Sequence, residues 1–175
     1  MTNLTRAHDE LYRRSPDERF AGLDALHDHC REQRERSLDR WHPPVAVVPE
    51  VLDGRLALRL NGDGVHRLND WSFTQLCRLA EVGKDTLNKL TPVTAREALR
   101  ETMPGGTKPL QILTEGDTIR SLHGAAYTRL YNADLLDLVR EFAVDFELPP
   151  AADGGTGLYC GEQDMFCFLV DPLGW

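Results

Sequence analysis

The feature that most constrains this chain is a pair of short segments that alternate with a period of two and fold back on tight turns. Arg55 to Leu60, RLALRL, alternates charged or small residues with apolar ones. Asn61-Gly62-Asp63-Gly64 is a cluster of turn formers, and Val65 to Leu68 reads as the returning strand. The pattern recurs downstream, where PLQILT (109–114) and TIRSLH (118–123) flank Glu115-Gly116-Asp117. A two-residue period buries one face only in a sheet, and short turns make the paired strands antiparallel. VAVV (45–48), TGLYC (156–160) and MFCFLV (165–170) supply further strand candidates.

Helical signals fill the intervals. Residues 1 to about 42 read as helical. Leu4, Ala7, His8 and Leu11 share one face of a first helix, and Ser15-Pro16-Asp17-Glu18 has the form of a capping box with proline at the first helical position. A longer helix from about Leu23 to Leu38 carries Leu23, Leu26, His27, Cys30, Arg34 and Leu38 at helical spacing, and Trp41-His42-Pro43-Pro44 ends it. Asp70 to Pro92 reads as two short helices joined at Gly83. Thr94-Ala95-Arg96-Glu97 is a second capping box, opening a helix that Pro104-Gly105-Gly106 stops. Asn132 caps a helix with Ala133, Leu135, Leu136, Leu138, Val139 and Phe142 inside it, and Pro149 to Gly157 is a loop. Together these predict an α+β fold: an N-terminal helical segment, residues 1–44, then an α+β domain, residues 45–175, with a mostly antiparallel sheet and packed helices. Asp171-Pro172-Leu173-Gly174 has the residues of a type I turn with only Trp175 after it, so the natural fold is expected to continue past this point.

A chain of 175 residues buries roughly 70% of its unfolded surface and needs no staples. Its net charge of -8 argues against a general polyanion binder and leaves room only for a local basic face. The four cysteines, Cys30, Cys77, Cys160 and Cys167, are scattered with no CxxC pair. No apolar run approaches the ~20 residues of a membrane span, and MTNLTRAHDELYRR lacks the apolar segment of a signal peptide. The expectation is a cytoplasmic chain with reduced thiols and no membrane partner.

Gly116 to Phe142, GDTIRSLHGAAYTRLYNADLLDLVREF, resembles a prokaryotic phage- and plasmid-associated family catalogued only as a domain of unknown function, number nine hundred thirty-two. The positions that carry the resemblance are Arg120, Ser121, Tyr127, Arg129, Asn132, Leu135 and Leu136. GEQDMFCFLVDP resembles the strand that follows in that family, and LCRLAEVGKDTLNKL its short helical pair, so the resemblance covers roughly residues 70 to 175. It implies mobile-element biology and carries no catalytic activity with it.

Several constellations bear on chemistry. If the Asp70–Pro92 pair were a helix-turn-helix, Phe73, Leu76, Ala80, Leu87 and Leu90 would face inward and Lys84, Asp85, Thr86, Asn88 and Lys89 outward. The glycine lies one residue too close to Ala80 and the second helix is short, so a structural corner is the favoured reading. His27 and Cys30 share a helix face, but two ligands do not close a zinc site, and no metal is expected. His123, Tyr127, Arg129, Tyr131, Asp134, Cys160, Glu162 and Asp164 form a polar set. Were the strand ending at His123 to pair beside that of Cys160, a Cys–His nucleophile would be conceivable, and Glu162 and Asp164, alternating out of one strand face, could hold a metal such as magnesium, though neither set has a diagnostic spacing. Gly105-Gly106-Thr107-Lys108 lacks the P-loop spacing and Gly154-Gly155-Thr156-Gly157 opens no helix, so neither implies a cofactor, and none is expected. Arg31, Arg34, Arg36 and Arg40 interleave with Glu32, Glu35 and Asp39 as a self-paired helix face.

Three functions follow as expectations. The first is non-enzymatic handling of DNA or RNA by a mobile-element-associated protein in recombination or replication, through Lys84, Lys89, Arg120 and Arg129. The second is a protein-binding module, for example an inhibitor of a host defence complex, since an acidic surface suits a basic partner. The third is an enzyme built on His123, Cys160, Glu162 and Asp164. The balance leans away from an enzyme.

Overall fold

The computed structural model describes residues 15–149 and 156–173. The first helix expected around Leu4 to Leu11 lies outside the described residues, as does most of the loop expected from Pro149 to Gly157. The chain divides into two compact units, one made of Arg36–Thr128 and the other of Met1–Glu35 with Arg129–Trp175. This division differs from the expected boundary after residue 44, because the N-terminal helix shares its unit with the C-terminal segment.

The Arg36–Thr128 unit is an α+β fold. Its strands are β1 (Ser37–His42), β2 (Val47–Leu52), β3 (Arg55–Leu60), β4 (Gly64–Leu68), β5 (Leu110–Glu115) and β6 (Thr118–Gly124), in the sheet order β1-β5-β6-β4-β3-β2. All neighbours are antiparallel except β4 and β6, which run parallel across Arg67–Thr118 and Leu68–Ile119. Both hairpins expected from the alternating segments form, β3–β4 and β5–β6. A further hairpin, β2–β3, turns at Asp53 and Gly54. Both have positive φ, 50° and 72°, which matches the right-handed twist of the strands. Pro49 is tolerated in β2 because β2 is an edge strand.

The two edge strands are consecutive in the chain. Only residues 43–46, including a 3-10 turn Pro44–Ala46, join β1 to β2. Five peptide steps reach about 17 Å, whereas a flat six-stranded sheet is about 24 Å across. The sheet therefore curls until its edges approach. Asp63, in the β3–β4 turn, ties the curl shut. One carboxylate oxygen accepts from Arg40 of β1 and the other lies 2.9 Å from His42 Nε2.

The segment Ser37–His42 corrects the expectation of a helix running to Leu38. Here the helix stops at Arg36, and every residue from Ser37 to His42 has a partner on β5, from Glu115 back to Leu110. Pairing with a distant strand outweighs local helical spacing. Arg40, expected on that helix, stands on β1 and donates from Nε to Thr114 Oγ1 at 3.0 Å.

Between β4 and β5 come α2 (Asp70–Leu79), α3 (Lys84–Leu87) and α4 (Pro92–Thr102). Asn69 caps α2 by accepting from Ser72 N at 2.8 Å. The cap of α4 is Thr91, which accepts from Thr94 N, with Pro92 at the first helical position. This moves the expected box at Thr94 one turn earlier. The helices close the core on the sheet through Leu76, Cys77, Ala80, Leu87, Ala95 and Leu99, which pack with Leu58, Leu60, Ile112 and Ile119.

The other unit is built from α1 (Leu23–Arg36, all but its last residue), α5 (Asn132–Phe142) and a hairpin of β7 (Leu158–Cys160) and β8 (Met165–Cys167). Ser15 to Glu18 forms a 3-10 turn at Pro16–Glu18 without a side-chain cap, in place of the expected helix start. Asn132 is the first residue of α5, and its cap position is Tyr131, so the expected Asn132 cap is not made. Leu26, Cys30, Ala133, Leu136, Leu158 and Cys160 form the buried core of this unit. Its rim is ionic: Arg34 pairs with Asp134, Arg140 with Asp24, and His27 Nε2 lies 2.7 Å from Asp137. Of the expected self-pairing of the arginine run, Arg31 meets Glu35 at 3.9 Å, and it also meets Asp28 at 4.0 Å. No helix among the described residues is long and apolar enough to cross a membrane.

Candidate nucleic-acid interface

The segment read as a helix pair is a corner. Glu81 turns the chain with φ 53°, and α3 is a single turn of four residues, too short to lie along a groove. Lys84 Nζ pairs with Asp70 at 2.6 Å, donates to Thr74 Oγ1 at 2.9 Å and lies 5.9 Å from the Phe73 ring centroid. Of the expected basic residues on this segment, Lys89 is exposed and makes no ion pair among the described residues.

The face of α2 that carries polar chemistry is a different one. Trp71, Gln75 and Arg78 stand at i, i+4 and i+7 and so share one side of the helix. This side meets the end of β6. Beyond Ile119, β4 offers β6 no further partner, and the buried Leu122 N–H is accepted by Gln75 Oε1 at 2.9 Å. That bond fixes which way the Gln75 amide points, and its nitrogen lies 3.2 Å from His123 Nε2. The imidazole in turn stacks on Tyr127, with ring centroids 3.6 Å apart and planes 6° from parallel. A tight turn holds the pair, with Tyr127 N donating to Gly124 O at 3.0 Å.

A cavity of about 350 Å³ opens here, lined by Gln75, Arg78, Leu79, Leu122, His123 and Gly124. Arg78 is exposed, sits 5.7 Å over the Trp71 ring and makes no ion pair among the described residues. Two stacks therefore border the cavity, cation on indole and imidazole on phenol. Tyr127 is 40% exposed. The polar side chains of the cavity lining are Gln75, Arg78 and His123.

No family model, no curated protein and no solved structure matches this chain.

The remaining site candidates fall elsewhere. Arg120 Nη1 donates to Glu115 Oε2 at 2.9 Å with its side chain 14% exposed, so it serves the β5–β6 hairpin. Arg129 lies 5.9 Å from the Tyr131 ring in the unit of the chain ends. The imagined pairing of the His123 strand with the Cys160 strand does not occur. β6 pairs with β5 and β4, whereas β7 pairs with β8 in a separate sheet, and His123 and Cys160 belong to different units. Glu162 and Asp164 stand in the β7–β8 turn and not on a strand face. That turn closes with Gly161 N donating to Asp164 O at 2.9 Å. Among the described residues no three His, Cys, Asp or Glu side chains gather in one place that could hold a metal ion.

Charge divides between the units. The Arg36–Thr128 unit carries 12 Lys and Arg against 11 Asp and Glu, and the other carries 8 against 17. The acidity that argues against polyanion binding thus belongs almost wholly to the unit without the cavity.

Proposed function

We propose that this chain binds single-stranded nucleic acid at the end of β6. The observation that carries the reading is the cavity lined by Arg78, Gln75 and His123, of which Arg78 lies over the Trp71 ring and His123 stacks on Tyr127. Aromatic faces take bases without regard to sequence, and an unpaired arginine takes phosphate. Bases must be unstacked to reach such rings, which favours single strands over duplex. The near-neutral charge of this unit supports a mode that leans on stacking. The likeness to a mobile-element-associated family supports the same class of function.

The test is fluorescence anisotropy with labelled single- and double-stranded DNA and RNA at low and moderate salt. Single strands bind best, with log K falling against log salt at a slope of about −1 to −2. Arg78→Glu and Tyr127→Ala each weaken binding by about tenfold or more. Lys84→Glu, whose parent amine is already paired with Asp70, has little effect. Absence of binding at low salt overturns the proposal.

A second reading has its own observation. Leu135, Leu138 and Phe142 stand exposed at i, i+3 and i+7 on α5, in the acidic unit. An exposed apolar stripe on an acidic unit supports a protein-binding module for a basic partner. A stable protein complex that Leu138→Asp abolishes, with no nucleic-acid affinity, would favour it.

A further inference from the structure

Sulfur is concentrated in one place. Three of the four cysteines and Met165 belong to the small core of the chain-end unit, where Met165 and Cys167 pack against Cys30 and Cys160. In the β7–β8 hairpin Cys160 is the partner of Met165 and Leu158 that of Cys167, so all four side chains lie on one face. Cys30 enters from α1. Its Sγ lies 3.9 Å from Cys160 Sγ and 3.9 Å from Met165 Sδ, and no disulfide is formed.

These separations have chemical content. A metal bonded to three sulfurs at about 2.3 Å in a plane needs them about 4.0 Å apart. Two thiols and a thioether are soft ligands, and that donor set selects Cu(I) over the harder Zn(II), which has little use for a thioether. The geometry points to a trigonal Cu(I) site formed by Cys30 Sγ, Cys160 Sγ and Met165 Sδ.

The surroundings fit a charged sulfur set. On binding, the two thiols release two protons to solvent and the assembled site carries one net negative charge. Asn132 Nδ2 approaches Cys160 Sγ at 3.8 Å and donates toward it. This explains why the first residue of α5 points inward instead of capping the helix. Cys30 and Cys160 are buried, while Met165 is half-buried and gives the ion its way in.

The experiment is anaerobic titration of the phosphine-reduced chain with Cu(I), in competition with a chromophoric Cu(I) chelator. One ion is retained per chain, with an ultraviolet thiolate-to-copper charge-transfer band. Cys30→Ser and Cys160→Ser each weaken retention by about a hundredfold or more, and Met165→Leu by about tenfold. Cys77→Ser leaves it unchanged. Met165→Leu keeps the volume of the core, so it serves where a cysteine variant fails to fold. X-ray absorption of the loaded chain then finds a shell of three sulfurs. Retention that survives Cys30→Ser and Cys160→Ser, a nitrogen or oxygen shell, or preference for Zn(II) overturns the site.

Discussion

The two units solve the same problem with unlike materials. The Arg36–Thr128 unit buries thirteen core residues between a curled sheet and three helices, and its charges nearly cancel. Among the described residues, the core of the chain-end unit holds six, two of them cysteines, beneath a rim of ion pairs, and the unit carries a large excess of acid. A large core is held by area alone, at roughly 25 cal/mol per Å² of apolar surface. A small one leaves each member a larger share of the work. Polarizable sulfur fills irregular space well there, and it also leaves donor atoms within reach of one another. The difference teaches where function is affordable. In the larger unit the proposed site sits at the margin, where α2 takes over from a strand. In the smaller unit the core itself can hold one.

The sharpest way to break this comparison is to cut each core in turn. Leu26→Ala removes a fully buried side chain from the small core and costs about 3 kcal/mol. Amide exchange should accelerate through α5 while the β5–β6 hairpin keeps its protection. Equal acceleration in both regions would show that the two are one cooperative body and end the comparison. Next in size is Gln75→Ala, which strips the acceptor from the buried Leu122 N–H and costs about 2 kcal/mol. Denaturant midpoints measure it. Gln75→Glu keeps that acceptor but loses the donor to His123, so it should recover most of the stability and little of the oligonucleotide affinity. Recovery of both would mean that the His123 contact is incidental.

What was legible in the sequence follows the range of the forces involved. The β3–β4 and β5–β6 hairpins were readable because strand, turn and return lie within fifteen residues of one another. The Asp53-Gly54 turn carries an equally local signal. The helix face of Leu26, His27 and Cys30 was also readable, since periodicity marks it. Ser37 to His42 was not, because its state depends on Glu115 to Leu110, some seventy residues away. The same limit hides the candidate sites. Trp71, Gln75 and Arg78 sit at visible helical spacing, yet nothing local reveals that Gln75 meets Leu122. Cys30 and Cys160 meet across 130 residues with no spacing motif to announce them.

The thiols of the two units offer a smaller contrast. Cys77 is alone among apolar neighbours in the larger core, and burial pushes its thiol up, against the opposing pull of Lys84. A folded state that holds its proton more tightly than the unfolded chain loses stability as pH rises above the ordinary thiol range, and below that range the contribution is fully present. Thermal midpoints from pH 7 to 10 should therefore fall, and Cys77→Ala should flatten that fall. An unchanged slope in Cys77→Ala would assign the fall to other groups.

The smallest effects come from two glycines, one in each unit. Gly54 has φ +72° with no atom within 4 Å of where a Cβ would stand, so Gly54→Ala meets no clash and suffers only backbone strain. A non-glycine residue in the left-handed region costs about 1 kcal/mol. Gly22 precedes α1, its carbonyl accepting from Leu26 N at 3.1 Å, and it too has open space around it. It holds the cap position, where serine improves on glycine by a few tenths of a kcal/mol. Gly22→Ser should thus raise the midpoint slightly and Gly54→Ala lower it, two opposite signs from the same kind of substitution in equally open surroundings. The β2–β3 hairpin needs its glycine for backbone shape, whereas α1 tolerates one where a hydroxyl would serve better. A gain at Gly54 would mean that the turn relaxes to a form the alanine accepts, and a loss at Gly22 would mean that the serine hydroxyl fails to reach the first-turn amides.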